Sequence, residues 1–166
     1  IIGCGYIGKD LIGLLKPYDC RLLAHDILDF PEFYMANKVE PLGLEELLRQ
    51  SDVVTLHLPL NDSTYRILNA DRLNMIKSGA VLINFARGGL IDEKAIEKLI
   101  VDKKISGVAL DVFESEPPLN NNLLDYTNVF VTPHIGGSTE EAVLAMGIAA
   151  IEGLEAASDP LMYLDK

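Results

Sequence analysis

Basic residues are scarce in this chain. Its 166 residues hold 14 Lys and Arg against 25 Asp and Glu, a formal net charge of -11 at pH 7. A phosphate backbone is repelled by that balance, which argues against a nucleic-acid partner. A small anionic ligand is still allowed, because backbone N–H groups can face one locally. Cysteine is scarce too: the chain has 2, Cys4 and Cys20. Two cysteines make no disulfide framework, and no C-x-x-C or Cys/His cluster offers a metal site. A reducing cytosol is the default setting for such a chain, so a cytoplasmic protein without a metal is expected. Long apolar runs are missing. None approaches the roughly 18 to 20 residues that span a bilayer, which argues against a membrane partner. No basic stretch followed by an apolar one marks a secretory signal. Repeats and low-complexity segments are missing as well. What is present is an ordinary globular balance, 49% hydrophobic and 23% charged, in a chain long enough for one domain with its own core.

Short apolar runs alternate with amphipathic stretches along the chain. Strands are expected at 21–26, 52–60, 80–87, 105–113 and 128–134, and helices at 7–16, 43–50, 69–77, 92–102 and 138–156. Leu44, Leu47 and Leu48 stand at i, i+3, i+4 and read as core. The Pro- and Asn-rich segment 114–128 reads as a loop with a short helical turn. Strands separated by helices predict βαβ units and a parallel sheet covered on both faces. The fold class is therefore α/β, a Rossmann-type doubly wound parallel sheet forming a nucleotide-binding domain. In such a sheet the C-terminal strand ends share one edge, and ligands bind there. Polar punctuation recurs at those ends: Asp26, His57 to Pro59, Asn84 to Gly89, Asp111 to Pro118 and Pro133 to Ser138.

Gly3, Gly5 and Gly8 stand in G-x-G-x-x-G spacing at the start of the chain. Alone, that spacing is a weak signal. It gains weight from the helix pattern that follows, with Ile7, Leu11, Leu14 and Leu15 on one face, and from Asp26, 18 positions after Gly8 at the end of the next strand. Gly3 allows the tight turn, Gly5 the approach of a pyrophosphate and Gly8 the packing of helix on sheet. The helix N-terminus supplies N–H groups and partial positive charge. The carboxylate of Asp26 suits the ribose hydroxyls of NAD and repels a 2′-phosphate, so NAD is favoured over NADP. Cys4 within the loop reads as a small packing residue.

Three further segments carry chemistry. "NFARGGLIDEKAI" puts Arg87 after a buried strand, "ALDVFESEPP" puts Asp111 and Glu116 after the next, and "VTPHIGGST" puts His134 after the last. In the motifs N-x-x-R-G, L-D-V-F-x-x-E-P and P-H-[IL]-G-[AG]-[ST], in this order, the sequence resembles the D-isomer-specific 2-hydroxyacid dehydrogenases. "SDVVTLHLPLNDSTYRILN" resembles the family's preceding segment, and "TPHIGGSTEEA" is most similar to the phosphoglycerate dehydrogenase type.

The resemblance implies an NAD-dependent oxidoreductase that interconverts a D-2-hydroxy acid and its 2-oxo acid, 3-phosphoglycerate or glycerate among the candidates. Arg87 would hold the substrate carboxylate and carbonyl oxygen. His134 would take the hydroxyl proton in oxidation, with Glu116 hydrogen-bonded to the ring. Glu114 is a rival for that acid, but Pro117 and the spacing from Asp111 favour Glu116. Tyr6 and Ile7 would offer N–H groups to the pyrophosphate. Leu58 and Pro59 would wall the cofactor, and Phe85 and Ala86 would meet its nicotinamide half. Asp111 would bind the carboxamide or its ribose, and Gly136 and Gly137 would let the chain pass close by. Arg87 and His134 also border the cofactor. His57 reads as site wall and His25 as packing. The resemblance further implies that 1–166 is a single dinucleotide-binding domain. The substrate domain would be absent, with weak NAD binding and little turnover by itself, and the full-length protein would be a homodimer. An alternative of another class is an NAD-sensing co-repressor of the same fold, which would keep the same Arg, Glu and His. Replacing Asp26 by Ala is expected to weaken NAD binding and relax rejection of NADP, measured by titrating both dinucleotides; an unchanged preference would count against the assignment.

Overall fold

The computed structural model describes residues 1–119 and 121–155. Residue 156, expected to end the last helix, and the tail after it lie outside the described residues. The chain divides into two compact units, Ile1–Pro133 and a second from His134 onward.

The first unit is an all-parallel α/β sheet. In chain order it contains α1 (Tyr6–Leu15), β1 (Leu22–Ala24), α2 (Pro31–Asn37), β2 (Val39–Pro41), α3 (Leu44–Gln50), β3 (Val53–Leu56), α4 (Ala70–Leu73), β4 (Val81–Asn84), α5 (Glu93–Val101), β5 (Gly107–Leu110) and β6 (Val129–Val131). Strands β3-β4-β5-β6 pair in sequence order, and β1 pairs with β2. Ile2 joins the two groups by bridging in parallel to both His25 and Leu56. Its backbone N donates to Thr55 O at 2.9 Å and its carbonyl accepts from His57 N at 2.7 Å; on the other side His25 N reaches Ile1 O at 2.9 Å and Gly3 N reaches His25 O at 2.8 Å. Three residues thus occupy the position of a strand between β1 and β3.

Alternation along the chain sorts side chains onto two faces. Ile1, Leu22 and Ala24 pack with Cys4, Ile12 of α1 and Tyr34 of α2. Ile2 and Leu23 join the larger cluster, with Leu47 and Leu48 of α3, Leu73 of α4, Ile96 and Leu99 of α5, and Val54, Leu56, Leu82, Val108 and Leu110 from the strands. Helices therefore flank the sheet on both sides, as expected of a doubly wound fold. Coverage is uneven: Leu82 and Val108 are buried, whereas their neighbours Ile83 and Ala109 are half-buried and Phe130 is exposed.

The expected strands and helices recur, with shorter strands. Strand β3 stops at Leu56 and not residue 60, because Pro59 has no N–H for a ladder. Helix α4 stops at Leu73 and not residue 77, where the chain changes to i→i+3 bonds from Met75 and Ile76. Asn69 and Asp92 cap α4 and α5 by accepting from first-turn N–H groups. The 114–128 loop contains the expected turn, a 3-10 helix at Asn122–Asp125. Two elements, α2 and β2, have no counterpart in the sequence reading. Helix α2 has seven residues and ends on Lys38 in the left-handed region. Strand β2 has three residues, one of them a proline, which an edge strand tolerates.

The second unit contains α6 (Glu140–Glu155), capped by Thr139, whose Oγ1 accepts from Ala142 N at 3.1 Å. No helix among the described residues is long and apolar enough to cross a membrane.

Ile2 is fully buried where the two parts of the sheet meet. Ile2→Ala is expected to cost about 2–5 kcal/mol in denaturant unfolding. Met35→Ala, on an exposed helical position, should stay within about 0.5 kcal/mol of the parent.

Candidate functional site

One register row crosses the first unit. His25, Ile2, Leu56, Asn84, Leu110 and Val131 are successive partners across the sheet. The residues singled out by sequence follow this row by one to six positions: Asp26, Gly3, Leu58, Pro59, Phe85, Ala86, Arg87, Asp111 and Glu116. All strands run the same way, so these residues leave the sheet at one edge.

The glycine loop begins at this edge. Gly3 has φ +94, and a Cβ on it would lie 2.5 Å from His57 O and 2.9 Å from Leu58 Cδ2. Only glycine lets the loop lie against the end of β3. A Cβ on Gly8 would lie 2.2 Å from Gly3 O, so α1 rests on its own loop, whereas a Cβ on Gly5 would meet nothing within 4 Å. Gly5 is the N-cap of α1, with no side-chain capping bond and no acidic residue in the first turn. Tyr6 and Ile7 follow with 93% and 67% exposure. The first turn of α1 therefore presents N–H groups beside open space.

Asp26 holds this loop. Its Oδ2 accepts from Cys4 N at 2.6 Å and its Oδ1 from Leu28 N at 2.9 Å. Two carboxylate oxygens offer about four acceptor positions, so the group retains acceptor capacity. Cys4 is buried, and burial pushes its thiol pKa up, which suits a packing role. Ile27 and Leu28, next to Asp26, are 95% and 62% exposed and form an apolar surface that the sequence reading did not single out. His57 bonds through Nε2 to Thr55 Oγ1 at 3.1 Å, and burial lowers its pKa below the usual histidine value. His25 sets Nδ1 3.0 Å from Leu42 O, consistent with packing.

Asn84 organises the Arg87 turn. It is 2% exposed, its Nδ2 donates to Arg87 O at 2.9 Å, and its Oδ1 accepts from Ala86 N at 3.1 Å. A polar residue ending a buried strand was the signal for it, yet sequence reasoning used it only as part of a motif. Arg87 is exposed and its Nη1 donates to Ala86 O at 2.7 Å. Phe85 is 44% exposed and Ala86 half-buried. Asp111 is 2% exposed; its N donates to Asn84 O at 3.1 Å, and its Oδ1 accepts from Thr132 Oγ1 at 2.5 Å. Thr132 was also missed: a lone threonine after a strand has no distinctive spacing. Glu116 is exposed and its Oε1 accepts from Phe113 N at 3.0 Å. Its sequence rival, Glu114, points its carboxylate at Tyr65 Oη, 2.8 Å away, and at Arg66.

His134, Gly136 and Gly137 belong to the second unit. His134 is exposed and takes a left-handed φ of 55; Ser138 N donates to Ile135 O at 2.9 Å in the turn before α6. Among the described residues, no group of three or more His, Cys, Asp or Glu side chains could hold a metal ion.

Residues 1–136 match the family described as D-isomer specific 2-hydroxyacid dehydrogenase, NAD binding domain. The D-3-phosphoglycerate dehydrogenase of Methanocaldococcus jannaschii is 39% identical over 93% of this chain and 30% of its own length. The hydroxypyruvate reductase of Thermotoga maritima is 39% identical over 92% of this chain and 50% of its own length. A solved D-lactate dehydrogenase from Aquifex aeolicus, complexed with NAD and lactic acid, superposes with a TM-score of 0.83 at 29% identity, covering 93% of this chain and 52% of that one. The chain thus spans half or less of the length of these curated relatives. With the glycine loop, the acidic strand end and the Arg87 turn on one sheet edge, and a family match over residues 1–136, this chain belongs to the NAD-binding domain family of the D-isomer specific 2-hydroxyacid dehydrogenases.

Proposed function

We propose that this chain is the nucleotide-binding domain of an NAD-dependent D-2-hydroxyacid dehydrogenase acting on a short acid of the phosphoglycerate or glycerate type. The observation that carries this reading is the register row, which sends a glycine loop, a carboxylate, a guanidinium turn and an acidic turn off one sheet edge.

The residues present fit a dinucleotide. The space at Gly5 and the uncapped first turn of α1 suit a pyrophosphate, which Tyr6 and Ile7 would hold through N–H groups. Asp26 would accept from ribose hydroxyls with its remaining lone pairs, and Ile27 would flank the adenine. Leu58, Pro59, Phe85, Ala86, Gly136 and Gly137 would border the nicotinamide half, with Asp111 toward its carboxamide or ribose. Bound NAD supplies a hydride acceptor for the substrate carbon, and its reduced form supplies the donor in reverse. Arg87 would grip the substrate carboxylate, a task suited to a planar cation with paired donors. His134 would take the hydroxyl proton in oxidation and return it in reduction. The family resemblance makes Glu116 the carboxylate partner of that imidazole.

Two sets of variants test this. Gly5→Ala adds a methyl group to open space, so unfolding should change by no more than about 1 kcal/mol. NAD binding should weaken by about tenfold or more, measured by calorimetric titration; unchanged affinity removes the pyrophosphate from this loop. For the ribose contact, Asp26→Asn is a cleaner variant than Asp26→Ala, since an amide oxygen can still accept from Cys4 N.

The second set concerns chemistry, measured as NAD reduction with a panel of 2-hydroxy acids by the enzyme carrying this domain. His134→Ala should lower kcat by about 10²–10⁴-fold. Glu116→Gln should lower kcat in the same assay by about tenfold or more. Wild-type activity with none of the acids would favour a sensing or protein-binding role.

A further inference from the structure

The loop between β3 and α4 does more than connect them. Arg66, at a left-handed φ of 46, donates its backbone N to Gly89 O at 2.7 Å. Leu68 N donates to Leu90 O at 3.1 Å, and Asp92 N returns to Leu68 O at 3.0 Å. The loop is therefore stitched along the chain that leaves the Arg87 turn.

Its side chains reach the other turn. Tyr65 Oη donates to Glu114 Oε1 at 2.8 Å, and Arg66 Nη2 lies 3.1 and 3.4 Å from the two Glu114 oxygens. Arg66 Nη1 stands 3.7 Å from Asp92 Oδ2, at the cap of α5. The Arg66 guanidinium also sits 5.3 Å from the centre of the Tyr65 ring. The backbone of Glu114 is tied as well, its N donating to Glu93 Oε1 at 2.6 Å. The two turns touch directly: a Cβ on Gly88 would lie 1.7 Å from Phe113 O. Residues 113 to 116 are thus held by Glu114 on one side and by the Phe113–Glu116 bond on the other.

Stability alone does not account for this arrangement. Arg66 and Glu114 side chains are 38% and 36% exposed, and ion pairs so exposed to solvent add little to folding. Arg66 Nε is buried with no partner among the described residues, so the guanidinium is held at its two Nη ends. What the contacts do define is geometry. One short segment, Tyr65–Arg66, bonds both to the chain leaving the turn that bears Arg87 and to the turn that bears Glu116.

We propose that Tyr65 and Arg66 are positioning residues that act through Glu114 to set Glu116 relative to Arg87. Their effect on turnover rests on the dehydrogenase reading above; their effect on the loop does not. The carboxylate that competes with Glu116 in the sequence thereby gains its own task as the anchor of the Glu116 turn.

The test uses Arg66→Met, Arg66→Lys and Glu114→Gln, with amide hydrogen exchange read residue by residue. In Arg66→Met and Glu114→Gln, the Phe113 and Glu114 amides should exchange about tenfold faster than in the parent, with Leu82 to Asn84 of β4 unchanged. Arg66→Lys should restore part of the protection. Unchanged exchange at Phe113 and Glu114, or an equal rise throughout β4, would overturn the proposal. In the enzyme carrying this domain, Arg66→Met should lower kcat severalfold and leave KM for NAD within about twofold. If Glu116→Gln impairs turnover but Arg66→Met does not, the positioning role fails while the dehydrogenase reading stands. If the parent reduces NAD with none of the acids, that reading fails, and exchange alone decides whether Tyr65 and Arg66 hold the loop.

Discussion

Hydrogen bonds on both sides of Ile2 hold the sheet together. They join β1 and β2 to the four strands beyond, with Thr55 and His57 on one side and His25 on the other. Because Ile1 and Ile2 also point to opposite faces, each helps to close one of the two apolar clusters. Without that junction, the glycine loop would have no fixed relation to the end of β3. Gly3 lies so close to His57 O that the loop takes its position from the β3 end. The cradle of α1 is thus a consequence of sheet pairing, not an independent loop structure.

Buried polar groups extend this order to the other strand ends. Asn84 closes the Arg87 turn with two bonds from a position that water does not reach. Asp111 lies buried beside it, bonded to Thr132 and through its own N to the Asn84 carbonyl. Buried groups of this kind are costly unless satisfied, and once satisfied they hold the backbone in one arrangement. The residues proposed for chemistry are different. Arg87 and Glu116 are exposed, carried on turns whose rigidity comes from beneath. Such a division lets the reactive side chains meet a ligand without the fold depending on them.

Much of the fold was legible in the sequence. The apolar spacing of Leu44, Leu47 and Leu48 marks a helix by period alone, and the structure buries all three. The five expected strands recur because β-rich apolar runs between helices have few other arrangements. What escaped notice was short and irregular: β2 has three residues including Pro41, and α2 ends on a left-handed lysine where glycine would have marked the stop. Within the site, Gly3 and Asp26 were readable from spacing. Thr132 was not, because its role comes from Asp111 beyond the neighbouring strand; Asn84, whose side-chain bonds lie within its own turn, was read only as part of a motif. Glu114 was read as a rival to Glu116, with Pro117 and the spacing from Asp111 favouring Glu116. The contact of Glu114 with Tyr65 and Arg66, some 48 residues away, adds a distinct set of partners that no local pattern shows.

By itself, the order of residues determined the alternation of strand and helix, the glycine spacing and the motif sequence, since these follow from local period and backbone freedom. Tertiary structure alone decided which strand ends lie side by side, how far a carboxylate is buried and which of two nearby acids is bound to a neighbouring loop. Those outcomes depend on distances between residues far apart in the chain, and no local pattern contains them.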